Sequence, residues 1–438
     1  MKVDSPAWRN ALDKIRLWNA DVPHTLIASR AIRGVGQGMM LADFALYLRA
    51  LGWNAAGIGA LLSLGALGEI IACIFVGWAG GRGSKKLMLI VGESLTLAAC
   101  LIATYSKAAP MLAAASLLGG LGQRSNGSPG PFSPAEQALF ADFSSLSSLG
   151  AILSINSATG FAGLGTGALT GAWLVAWGGR FSDGEIFRPL FIFSATAAFA
   201  NMLLLASISE PPNQQRDEAA SAVEDGAVRR SDGRSLSWLV LTNLLNGAAI
   251  GMADLLVPFW FAKQFHARPS SISLLMALTF FLTALLACTA AFLVYRVGHL
   301  KLLLRTQFIS AGLLVVLPLI PLYWLACAIL AARYALTRSP AGVRQTLTNA
   351  SVQRKRIGLA TGLNVSSLQA GQLFAPLLAG LLMDHGRNAV PFFLAAACQA
   401  FAVRFYKRSF RELALDARTE PTLQGSEPSR SRAPSLSS

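Results

Sequence analysis

The chain has 438 residues, of which 53% are hydrophobic and only 13% charged, with a mean hydropathy of +0.50. An ordinary soluble globule carries about a quarter of its residues as charges, so that class is excluded. The net charge of +15, from 37 basic and 22 acidic residues, would suit nucleic acid. The basic residues, however, lie mostly in short connections on one side of the apolar blocks, which reads as membrane topology with no nucleic-acid partner.

The apolar residues fall into blocks of about twenty, the length that crosses roughly 30 Å of hydrocarbon. Residues 1–27 precede the first block and show no cleavable signal. Within them Trp8, Leu12, Ile15 and Trp18 share a helical face, as in a short interfacial helix, with a mobile tail as the alternative. Spans 1 to 3 are expected at 28–49, 55–79 and 87–105. A glycine-rich basic turn, Gly77-Trp-Ala-Gly-Gly-Arg82-Gly-Ser-Lys85-Lys86, joins the second and third. Span 4 begins near Pro110 and breaks, because the glycines and prolines between Gly119 and Pro134 interrupt any helix before Ala135–Asp142. Broken backbone inside a bilayer is tolerated only where protein or a watery cavity covers it. Spans 5 and 6 follow at 149–177 and 188–208.

Residues 209–236 are polar and read as a linker between two six-span halves, 28–208 and 237–407. The second half places its spans at 237–262, 270–294, 302–320, 322–345, 357–383 and 389–407. Residues 408–438 are rich in Ser, Pro and Arg and are expected to be disordered. The halves repeat: Gly150–Gly171, with Asn156 and Gly163, aligns without gaps on Gly358–Ala379, with Asn364 and Gly371. Gly38-Met39 likewise matches Gly251-Met252. Basic residues cluster at Arg82, Lys85 and Lys86, in the linker, at Arg354–Arg356 and in the tail, which puts both termini in the cytoplasm. The fold class expected is an all-α polytopic membrane protein with twelve transmembrane helices in two pseudo-symmetric halves.

Several residue patterns resemble the major facilitator superfamily over nearly the whole membrane region. Gly77, Arg82, Lys85 and Lys86 match the family's Gly-x-x-x-Asp-Arg-x-Gly-Arg-Lys loop, with Gly81 in place of its Asp. Arg296, Gly298 and Lys301 repeat it after span 8. The resemblance implies that both turns form a cytoplasmic gating loop. Gly130-Pro-Phe-Ser-Pro134-Ala-Glu136-Gln137-Ala in span 4, and Arg333 with Pro340, Arg344 and Gln345 in span 10, resemble an efflux-like prokaryotic branch. In spans 5 and 11, Gly163-x3-Gly167 and Gly371-x3-Ala375-Pro376 resemble the family's antiporter pattern. Small residues four apart also let helices approach closely.

Acids within hydrocarbon are functional candidates by default. They are Asp43 in span 1, Glu69 and Glu93 in spans 2 and 3, Glu136 after the break, and Asp254 in span 7. Glu69 and Glu93 are expected to pair with Arg82 or Lys85, and Asp254 to lie near the far surface as readily as in the pathway. Arg124 and Arg333 sit where a guanidinium holds an anionic solute bidentately or neutralises an acid. Arg338 and Arg344 read as a cytoplasmic helix end. Asn156 and Asn364 add polar groups to the same pathway.

The five cysteines lie in apolar runs without CxxC spacing, HExxH is absent, and no GxxxxGK[ST] loop occurs. No metal, cofactor or enzymatic activity is therefore expected. The function expected is secondary active transport of a small organic solute through a central cavity between the halves. It would be a monomer in the cell membrane, exporting by antiport with protons that bind Asp43 and Glu136. Metabolite uptake is the alternative, with a transport-dead sensor or a membrane-embedded lipid enzyme behind it.

Overall fold

The computed structural model describes residues 21–79, 83–123, 130–131, 133–143, 146–177, 184–209, 233–297, 299–342, 344–345 and 357–419. Each expected span is met by helix. The first half contains α1 (Asp21–Ala50), α2 (Ala55–Ala79), α3 (Lys85–Tyr105), α4a and α4b (Ala109–Gly119 and Ser133–Phe143), α5 (Leu146–Trp177) and α6 (Arg188–Ala206). In the second half α7a (Gly233–Ala249) passes through a π-turn at Ile250–Asp254 into α7b (Val257–Gln264), then α8 (Pro269–Val297), α9 (His299–Val316) and α10 (Tyr323–Arg338). It ends with α11a and α11b (Ile357–Gln372 and Ala375–Asp384) and α12 (Val390–Thr419).

Local chemistry sets the boundaries. Ser84 caps α3 by accepting from the Leu87 amide at 3.1 Å. α4a stops at Gly120, which has a φ of 59° and leaves room for the Glu69 carboxylate, since an added Cβ would lie 2.7 Å from its Oε1. Pro134, Pro258 and Pro376 each fall in the first turn of the helix that resumes after a break, where a missing N–H does no harm. The last helix runs on to Thr419, past its expected end at 407, because residues 408–419 contain neither Gly nor Pro.

Seven helices among the described residues are long and apolar enough, by length and composition, to cross a membrane. The polarity of the molecule is inverted relative to a soluble protein. Ile71, Ile74, Phe75, Trp173, Phe308 and Trp324 are exposed, whereas Arg30, Arg33, Asp43, Glu93, Glu136, Asp254, Arg333 and Arg338 are buried. That is the arrangement a hydrocarbon solvent selects, with charge confined to the interior of the helix bundle.

The sequence repeat becomes a repeated helix crossing. Gly34 on α1 meets Gly163 on α5, with an added Cβ 3.1 Å from the Gly163 Cα. Gly247 on α7a meets Gly371 on α11a at 3.2 Å by the same measure. Between the halves, α2 packs on α11a and α11b, and α5 packs on α8. They touch at both ends. On one face the Asp384 carboxylate accepts from the Ala55 and Ala56 amides at 3.0 and 2.9 Å, and on the other Thr361 donates to Gln137 at 3.1 Å.

Candidate functional site

Three charged constellations organise the interior. In the first half, Arg33 on α1 donates through Nε to Glu93 Oε1 on α3 at 2.5 Å. Its Nη1 donates to Glu136 Oε2 on α4b at 2.8 Å. Asn156 on α5 donates to the other Glu136 oxygen at 2.7 Å. All of these side chains are nearly solvent-free. Ions so buried persist only when paired and hydrogen-bonded, because desolvation otherwise exceeds the Coulombic gain.

The second half carries the inverse. Asp254 closes the π-turn of α7, a backbone irregularity frequent at functional sites. Its Oδ1 accepts from Arg333 Nη1 at 2.6 Å and its Oδ2 from Arg338 Nη2 at 3.2 Å, both arginines coming from α10. The Tyr334 hydroxyl donates to the Asp254 carbonyl at 3.3 Å. The Arg338 guanidinium stands 3.5 Å over the Tyr334 ring and 5.5 Å from the Phe280 ring of α8.

The third constellation crosses between the halves. Asp43 on α1 is 1% exposed and accepts one hydrogen bond, from Ser273 of α8 at 2.6 Å, while its Oδ2 has no hydrogen-bond partner among the described residues. Gly171 on α5 closes over that oxygen, with an added Cβ at 2.8 Å. Gln369 on α11a donates to Glu69 on α2, and Gln372 donates to Gln369. Asn364 accepts from Asn243 on α7a, so it joins its half to itself and not to an acid as Asn156 does.

A small cleft of about 30 Å³ lies inside the first half, lined by Arg33, Gln37, Glu93, Thr96, Gly120 and Ser194 among others. The span-4 break provides its wall. A cavity between the halves was expected from the sequence; at that interface α2 packs on α11a and α11b, and α5 packs on α8.

Several expectations need correction. Glu93 pairs with Arg33 and not with the loop; Lys85 takes Asp142 at 2.5 Å instead. Asp254 is buried and not close to solvent, and Arg338 is a buried partner of Asp254 and not a solvated helix end. Lys86 donates to the carbonyls of Ala206 and Ile208 at the end of α6. Gly77 and Arg296 lie in helices, and Arg82, Arg124 and Gly298 lie outside the described residues. The sequence reading missed Arg33. The rule that flagged buried acids applies equally to a cation in an apolar span, and would have found it.

Comparison with known proteins bears on the whole chain. A sequence profile of the Major Facilitator Superfamily matches residues 26–238 and again 239–433, one copy per half. The quinolone resistance protein NorA of Staphylococcus aureus strain MSSA476 is 22% identical over 359 residues, spanning 80% of this chain and 87% of the relative. The xylose transporter XylE from E. coli, in a partially occluded inward-open conformation, superimposes with a TM-score of 0.71 at 13% identity, covering 89% of this chain and 98% of that one. The nucleoside transporter NupG does so with a TM-score of 0.62 at 12% identity, covering 89% and 99%. With a duplicated profile match, a repeated helix crossing and charge buried among apolar helices, the chain belongs to the Major Facilitator Superfamily and is an integral membrane transporter.

Proposed function

We propose that this transporter exports a small organic solute from the cell in exchange for protons. The observation that carries the reading is Asp43, a buried carboxyl on α1 whose hydrogen bond crosses to Ser273 on α8 and which has no cationic partner among the described residues. An isolated buried carboxylate is costly, so a proton supplies what the protein does not. A charge-assisted hydrogen bond is worth about 1.5–3 kcal/mol and a neutral one about 0.5–1.5. Protonation therefore loosens a tie between the halves by roughly 1 kcal/mol, which biases the population of open states.

Glu136 is the second candidate. It already shares Arg33 with Glu93, so a proton there rearranges an ion pair instead of neutralising a lone charge. Asn156 holds Glu136 in place, and Asp254, Arg333 and Asn364 line the equivalent pathway in the second half. The basic residues at the start of α3 and the end of α8, Lys85, Lys86 and Arg296, mark the cytoplasmic face in this reading, with both termini on that side and residues 209–236 as the linker.

Export, rather than uptake, is supported by the relative named for quinolone resistance, a phenotype that expelling the drug produces. The test is quinolone accumulation in everted membrane vesicles energised to an acid interior. Export by antiport gives accumulation that collapses with the pH gradient. Accumulation confined to right-side-out vesicles with an acid exterior means uptake by symport instead.

A further inference from the structure

The Asp254 triad has one more charge than it balances. Two guanidinium groups, Arg333 and Arg338, share one carboxylate, and all three side chains are at most 2% exposed. Among the described residues, Nε of Arg333 and both Nε and Nη1 of Arg338 have no hydrogen-bond acceptor. Buried donors are ordinarily satisfied, and a buried excess cation is the more costly kind of exception. The Tyr334 and Phe280 rings that flank Arg338 soften the penalty without removing it, since a ring face offers quadrupole attraction and no acceptor oxygen. The planar fork of arginine matches a carboxylate or phosphate group through two parallel N–H bonds.

We propose that the Arg333–Arg338 pair is an anion subsite for the solute: it takes a carboxylate or similarly compact oxyanion of the transported molecule, which Asp254 holds off until the halves open. The inference rests on the transport reading above and adds the chemical class of the solute. Arg338 is the receiving residue, because its contact with Asp254 is the longer, at 3.2 Å against 2.6 Å for Arg333, and it keeps two donors unmet. Asp254 sets the strength of the site by competing for the same fork.

The test uses the full chain purified in detergent and three probes of one shape: benzoate, benzamide and benzylamine. Thermal melting is followed as each is raised through the millimolar range. Benzoate is expected to raise the melting temperature, and benzamide and benzylamine to leave it unchanged. In Arg338→Gln the apparent affinity for benzoate is expected to fall at least tenfold, about 1.4 kcal/mol. The unliganded variant is expected to melt no lower than the parent, because Asp254 keeps Arg333 and the uncompensated charge is gone. Arg338→Lys, which keeps the charge and loses the fork, guards against misfolding and is expected to fall between the two.

Equal responses to benzoate and benzamide would overturn the proposal. So would an Arg338→Gln protein that melts lower yet answers benzoate as before, the signature of a purely structural arginine. Binding is read here without any gradient. Anion binding without pH-driven flux would reject the transport reading alone, and flux without anion selectivity would reject this inference alone.

Discussion

Arg33 on α1 and Asp254 on α7, in equivalent helices of the two halves, are each the centre of a buried triad, and the triads have opposite charge. Arg33 is gripped by two acids, Glu93 and Glu136; Asp254 is gripped by two arginines, Arg333 and Arg338. The backbone repeat is therefore kept where glycine meets glycine and inverted where charge meets charge. Each half joins its first helix to its fourth through an ion pair, a tie within each half that rocking of two halves would call for.

Removing the centre of a triad leaves like charges facing each other in a dry interior. Arg33→Met is expected to lower stability by about 3–5 kcal/mol, the usual effect of stranding a buried charge. Adding Glu93→Gln and Glu136→Gln to it is expected to recover most of that loss. Detergent melting curves of the single and triple variants check both expectations.

The helix crossings within each half tolerate no side chain. Gly163→Val places a branched chain where Gly34 and the Ala31 carbonyl already sit, and Gly371→Val does the same against α7a. Both are expected to abolish the monodisperse protein peak on gel filtration. Gly312→Ala is the control, since nothing lies within 4 Å of its Cβ position and alanine favours helix.

Asp384 ties the end of α11b to the start of α2, satisfying two amides that a helix N-terminus leaves open. Asp384→Ala is expected to weaken closure of that face by about 1 kcal/mol, as loss of an N-cap does. A cysteine at Ile58, fully buried one turn into α2, is then expected to react several-fold faster with a polar maleimide in a background without the five native cysteines. An unchanged rate would show that α2 and α11b stay closed without the cap.

Much of this was legible in the sequence, and the division has physical causes. Span positions follow from apolar length, and the α4 break from Gly119–Gly122 and Pro134, because these are local properties of the backbone. The repeat of Gly163 and Gly371 revealed the two-half plan, since close helix approach requires small residues at fixed spacing. The partners of the charges were not legible. Glu93, Glu136 and Arg33 lie on three helices, and nothing local says that Glu93 turns inward to Arg33 and not to the nearer Lys85. Arg338 reads as a helix end because the apolar run fades there, but α8 covers it with Phe280. Ser273 has no sequence signal at all, since a serine in an apolar span is ordinary until an acid from the other half faces it.

The direct test of proton coupling is made in proteoliposomes containing a pH-sensitive dye, comparing the parent protein with Asp43→Asn while a quinolone is added to one side. The parent is expected to move protons when the solute is added. The variant is expected to keep solute counterflow while losing the proton signal and any accumulation driven by the pH gradient. Undiminished gradient-driven accumulation in Asp43→Asn would contradict the account.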